Sequence, residues 1–210
     1  MPKRQRLNDE QIRTRASLLI RLKNLDDDKS WHDFFETYWK LIYRVARQVS
    51  LTDAEAQDVV QETMVHLAKK MPAFNYDPAI GSFKSWLLIK VRWASIEQLR
   101  KRGRFQADAA TSDETHTRLI DNVPDPVSLV PEQVWEEQWK NHLLEMATTN
   151  IQSRVHPRSY QLYDYYVNKG WPTDKITVAF GVSVEVVHTA KHRVMMMIAQ
   201  EVKRLERVHQ

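Results

Sequence analysis

The sequence predicts an all-α protein: two small helical domains, an N-terminal helical bundle and a C-terminal helix-turn-helix domain, joined by a flexible acidic linker. Three observations carry this. First, only 4 of the 210 residues are glycine while 42% are hydrophobic and 28% charged, which suits packed helices better than turn-rich sheets. Second, apolar residues recur at i, i+3, i+4 and i+7 in several segments, and none of the strong hairpin pairs such as Asn-Gly occurs. Third, basic residues gather in "MPKRQR", in "LRKRGR" at 99–104 and in the last thirty positions, whereas from Phe105 to Gln138 acids dominate and Arg118 is the sole Lys or Arg.

The first helix is "SWHDFFETYWKLIYRVARQV", where Trp31, Phe34, Phe35, Tyr38, Leu41, Ile42 and Val45 form an apolar stripe and Ser30 with Asp33 makes a capping start. The second is "TDAEAQDVVQETMVHL", opened by Thr52 and Glu55 at capping-box spacing, with Asp53 and Glu55 favoured at the positive helix end. Ala56, Val59, Val60, Thr63 and Leu67 share its inward face. Asp58, Gln61, Glu62 and Lys69 share an outward one, acidic in a chain of net charge +4. "MPAFNYDPAIGSF", Met71 to Phe83, holds two prolines and a glycine and reads as a loop. Ser82 then caps "FKSWLLIKVRWASIEQLRKR", a helix apolar around most of its circumference but interrupted by Lys84, Lys90, Arg92, Arg100, Lys101 and Arg102, as expected of a helix that touches several neighbours and something anionic. Trp86 and Trp93, seven apart on it, are either core residues or a stacking platform for unpaired bases.

From Gly103 to about Pro131 periodicity lapses and three prolines cluster in "NVPDPVSLVP", which places a boundary between domains 1–104 and 132–210 with a linker at 105–131. Helices resume at "EQVWEEQWKNHLLEMATTNI" and "PRSYQLYDYYVNK", the latter ending at Gly170. In "TDKITVAFGVSVEVVHTAKHRV", Thr173 and Ser183 are candidate N-caps, Gly181 supplies a tight turn, and Ile176, Phe180, Val182, Val187 and Val194 supply a shared core. That spacing fits a helix-turn-helix, and equally a plain αα-hairpin. In a helix-turn-helix, Ser183, Glu185, His188, Thr189 and His192 face base edges, with Lys191 and Arg193 near phosphates.

Composition also excludes classes. Zero cysteine removes disulfides, thiolate nucleophiles and most zinc sites, consistent with a reducing, cytoplasmic setting. No phosphate-cradling glycine loop and no G-x-S-x-G is present, so no catalytic residue, metal or cofactor is expected. His188 and His192 lie at i, i+4 without a further ligand, and Asp58 with Glu62 reads as a solvated pair rather than a magnesium site. No apolar run approaches the roughly 20 residues of a membrane span.

The order of these parts, from about Thr14 to Glu206 apart from the linker, resembles the bacterial RNA polymerase sigma factors of the extracytoplasmic-function type. "DAEAQDVVQETMVHL" is similar to the family's core-binding helix, which implies that Asp58, Gln61 and Glu62 contact the clamp coiled coil of the largest polymerase subunit. "GSFKSWLLIKVRWASIEQLRKR" is similar to the segment that recognises and melts the downstream promoter element, implying roles for Lys84, Arg92, Trp93 and Arg100. The "FNYDPAI" loop stands where the family captures a flipped base, and Asn75, Tyr76 and Asp77 are its candidate pocket. "FGVSVEVVHTAKHRV" looks like the upstream-element reader. Here the chain has Trp93 where the family often has Asn, Lys90 where it has an apolar residue, and Thr177 where it has Ala. The implied partners are core RNA polymerase, promoter DNA in double- and single-stranded form, and an anti-sigma factor, with no membrane. The rival expectation is a stand-alone dimeric helix-turn-helix regulator that binds a palindromic operator without polymerase.

Overall fold

The computed structural model describes residues 18–73, 82–108 and 130–209. They fall into two compact units, one running to Trp139 and the other from Lys140 to Val208. Among the described residues every regular element is helical.

The first unit is built on α1 (Asp28–Gln48), α2 (Asp53–Lys70) and α3 (Phe83–Asp108), with a single 3₁₀ turn at Met71–Ala73 after α2. Each of the three packs on the other two. Phe34, Leu41, Ile42 and Val45 of α1, Ala56, Val59 and Leu67 of α2, and Leu87 and Val91 of α3 are wholly buried. Phe83 closes one end of this core, meeting Phe34 edge-on at 6.0 Å and Tyr38 at 5.3 Å. At roughly 1.5–3 kcal/mol per fully buried large apolar side chain, this stripe-to-stripe packing, rather than helix propensity, holds the bundle together.

Local chemistry fixes the ends. The α2 capping box is fully formed: the Glu55 amide donates to Thr52 Oγ1 (3.3 Å) and the Thr52 amide to Glu55 Oε2 (2.8 Å). Ser82 Oγ accepts from the Ser85 amide (3.1 Å) and starts α3. The start of α1 differs from the expectation: Asp27, not Ser30, is the cap. Its carboxylate accepts from both the Ser30 amide (3.0 Å) and the Ser30 hydroxyl (2.7 Å), so the helix begins earlier and Ser30 is buried inside it. Those two bonds hold the Asp27 carboxyl below the usual range. Between α1 and α2, Ser50 takes a left-handed φ of 62°; Arg102 donates to its carbonyl and Arg47 to that of Leu51. The α3 helix runs through buried Gly103 to Asp108.

α4 (Glu132–Gln152) starts in the first unit, where Val130, Trp135 and Trp139 are buried, and passes at Trp139 into the second. The second unit continues with α5 (Pro157–Tyr163), which widens into a π-helical turn at Asp164–Asn168, then α6 (Thr173–Phe180) and α7 (Val184–His209). Leu162, Ile176, Val187 and Ala190 form a core flanked by Tyr165, Tyr166, Trp171, Phe180 and Val182. Gly170 and Gly181 hold φ of 62° and 59°, the left-handed geometry that ends a helix most cheaply in glycine. At the start of α6, Pro172 rather than Thr173 occupies the cap position, without a side-chain bond; Thr173 is the first helical residue. The end of α4 is tied to α7 through Glu201, which accepts from Asn150 (2.9 Å) and Arg204 (2.6 and 2.9 Å) and lies 3.7 Å from Arg154.

Candidate functional site

The expected inward face of α2 is inward: Ala56, Val59, Val60, Thr63 and Leu67 are all buried. The helix register therefore turns Asp58 and Gln61 to solvent, and both are exposed. They line a groove of about 640 Å³ with Phe35, Trp39, Tyr43, Gln57 and Val60. Phe35 and Trp39 stack at 6.2 Å with an interplanar angle of 11°, so the wall beside the acidic face is a flat aromatic surface. Tyr43 donates to Asp53, a bond that raises the phenol above its ordinary value, and Gln57 donates to the same carboxylate (2.8 Å). The aromatic wall was not among the sequence candidates. The sequence placed Phe35 on the α1 stripe, whereas in the structure it is exposed beside the buried Phe34, Tyr38, Leu41, Ile42 and Val45.

Glu62 faces elsewhere. It is ion-paired with Lys101 of α3, and the bond lifts the Lys101 ammonium above its ordinary value. Glu62 lines a second cleft, about 520 Å³, with Thr63, His66, Lys90, Trp93 and Glu97. Burial, with Lys90, Lys70 and Lys69 nearby, pushes the His66 imidazole below its usual value, which favours the neutral ring. The three residues expected to form one polar face are thus divided, two on the α1–α2 groove and one on the α2–α3 cleft.

On α3, Trp93 is 54% exposed and Arg100 half-exposed beside Glu97 (3.9 Å). Lys90 stands over Trp86, 5.7 Å from its ring centroid, and Trp86 is only partly buried. Lys84 and Arg92 are engaged inside the unit: Lys84 with Glu136, Arg92 with the Val130 carbonyl and Glu132. Asn75, Tyr76 and Asp77 lie outside the described residues.

In the second unit, the chain reversal at Gly181 presents the first turns of α7. Ser183, Glu185, His188, Thr189, His192 and Arg193 are all exposed, while Lys191 is half-buried. A hydrogen bond from Ser183 lowers the Glu185 carboxyl. Tyr166, which sequence reasoning passed over, meets His188 edge-on at 5.7 Å and lies under Lys191 at 4.7 Å. It comes from the π-helical turn, whose extra residue per turn shifts the side chain off the α-helical register used to assign faces. Val178 of α6 and Val184 and Val186 of α7 are also exposed. No group of metal-ligating residues occurs among the described residues, and none of the described helices is long and apolar enough to cross a membrane.

The family model for Sigma-70 region 2 matches residues 34–105, all within the first unit. The chain is 26% identical over 166 residues to the ECF RNA polymerase sigma factor SigE of Mycolicibacterium smegmatis. That alignment covers 78% of this chain and 58% of the relative, so the chain spans under two thirds of the relative's length. No solved structure matches the chain significantly. Residues 34–105 thus match the Sigma-70 region 2 family, and over most of its length the chain is similar to a bacterial RNA polymerase sigma factor of the extracytoplasmic-function type.

Proposed function

We propose that this chain is a sigma factor: it binds core RNA polymerase, directs it to promoters and assists strand opening at initiation. Residues 1–104 would dock and melt, 105–131 would tether, and 132–210 would read the upstream duplex. The observation that carries this is the exposed Asp58–Gln61 face within the segment that matches the Sigma-70 region 2 family. Acidic and amide groups beside the Phe35–Trp39 wall suit a basic amphipathic helix, whose cations would meet Asp58 while its apolar residues cover the rings. The acidic face of a basic chain is in this reading reserved for protein, leaving nucleic acid to α3 and α7.

Opening the duplex falls to Trp93, Arg100, Lys84 and Arg92 with the Asn75–Asp77 loop. An exposed ring can stack on an extruded base and offset the few kcal/mol that unstacking costs. The early exposed residues of α7, from Ser183 to Arg193, would meet the major groove. The chain itself makes and breaks no bond; the polymerase is the enzyme. Its setting would be the cytoplasm, and an anti-sigma protein is the regulatory partner that goes with this type.

The test is reconstitution. Added to bacterial core polymerase, the chain should give promoter-dependent transcripts that core alone does not. A chain that instead formed a stable homodimer on a palindromic duplex, with no polymerase requirement, would replace this reading with that of a stand-alone regulator.

A further inference from the structure

Two of the cations assigned to promoter DNA are already occupied by the chain itself. Arg92 donates from Nε and from Nη2 to the carbonyl of Val130 (3.1 and 2.6 Å), and its Nη2 lies 3.4 Å from the Glu132 carboxylate. Lys84 is ion-paired with Glu136 and stands 5.8 Å from the centroid of the Trp139 ring. Glu132 meets the later cation and Glu136 the earlier one, so the start of α4 runs antiparallel to α3, presenting carboxylates four residues apart to cations eight apart. Apolar contacts hold it there independently of charge. Val130 and Trp135 are fully buried, and Trp139 stacks on Tyr38 at 6.5 Å with an interplanar angle of 19°.

A carboxylate and a main-chain carbonyl give Arg92 and Lys84 the same charge-assisted acceptors that phosphate oxygens would. The two sets of acceptors cannot occupy one guanidinium fork and one ammonium together. We infer that residues 130–139 form an autoinhibitory strap, an internal acidic stand-in for the nucleic-acid backbone, which must leave Lys84 and Arg92 before α3 engages DNA. This rests on the assignment of α3 to nucleic acid and not on polymerase docking. The strapped chain is the binding-incompetent state, so its apparent affinity is its intrinsic affinity reduced by the fraction released. The free chain should accordingly bind DNA more weakly than the number of phosphates it can neutralise would give.

The experiment uses the full chain without polymerase and a fluorescein-labelled single-stranded DNA 20-mer, read by anisotropy. Glu136→Gln removes the strap's partner for Lys84, whereas Glu137→Gln removes the same charge from the exposed neighbouring position. Glu136→Gln should tighten binding about two- to five-fold, the range expected for losing one partly exposed ion pair, and Glu137→Gln should have less than half that effect. Hydrogen exchange adds a readout free of charge arithmetic: amides of 135–139 should lose protection in wild type at saturating oligonucleotide. Equal shifts for the two variants, undiminished protection with DNA bound, or no binding by any variant would each overturn the strap. Polymerase co-purification is a separate measurement, unaffected by any of these outcomes.

Discussion

Lys101 of α3 donates to Glu62 of α2, and this ion pair ties together the two helices that the proposed function assigns to DNA and to polymerase. Both side chains remain more than a third exposed or close to it, so the pair sits in the range of about 0.2–1 kcal/mol. Glu62→Gln should cost no more than that in urea denaturation. Glu62→Lys sets two ammonium groups together and should cost about 1 kcal/mol while leaving helical content unchanged by circular dichroism. It should also end co-purification with core polymerase, but only Asp58 and Gln61 offer a test free of this stability effect.

Acid should loosen the second unit through Glu201. Hydrogen bonds from Arg204 and Asn150, with the charges of Arg204 and Arg154, hold its carboxyl below the ordinary glutamate value of 4.5 despite burial. A depressed folded-state value means the stabilisation is present above the unfolded-state value and is lost as pH falls through the folded one. The wild type should therefore lose stability progressively below about pH 4.5. Glu201→Gln should be less stable by about 2–4 kcal/mol at neutral pH, because Arg204 and Arg154 lose their shared anion, and should show a flatter acid limb in thermal melts.

Backbone geometry gives two opposite expectations. Gly181 sits at φ 59° with nothing within 4 Å of where a Cβ would be, so Gly181→Ala carries strain without a clash. It should destabilise the second unit by about 1–2 kcal/mol, and upstream duplex binding should fall with it. Ser50 at φ 62° is the reverse case. Ser50→Gly should be neutral to stabilising by up to about 1 kcal/mol, since relief of the left-handed strain competes with the greater entropy of an unfolded glycine.

On α7, Arg193 and His188 should separate by mechanism. Arg193→Ala, removing an exposed cation, should lower affinity for upstream duplex uniformly across sequences and reduce the salt slope by about 1. His188→Ala should change preference among promoter sequences more than overall affinity, as expected of a group at a base edge. The comparison is made by titrating the polymerase complex against promoter variants at two salt concentrations.

The parts of the fold that were legible in the sequence rest on short-range rules. The five inward residues of α2, the Thr52–Glu55 box and the left-handed Gly181 each follow from spacing within one or two turns. The exposure of Glu185, His188, Thr189, His192 and Arg193 follows from the same periodicity. Where short-range rules compete, they decide less: three consecutive aspartates at 26–28 precede Ser30, and Asp27 captures both its amide and hydroxyl. The commitment of Arg92 and Lys84 to residues 130–136 spans 38 to 52 positions, and no periodicity encodes such a pairing. Tyr166 was hidden for a different reason, because a π-helical turn breaks the 3.6-residue count on which faces are assigned.

The central claim is that the exposed face of α2 attaches this chain to RNA polymerase, and affinity co-purification with bacterial core enzyme tests it most directly. Asp58→Lys reverses an exposed charge in the aromatic groove, and Asp26→Lys makes the same change at an exposed position ahead of α1. Wild type and Asp26→Lys should be retained by core while Asp58→Lys is lost with its melting temperature unchanged. Retention of Asp58→Lys at wild-type levels would contradict the account.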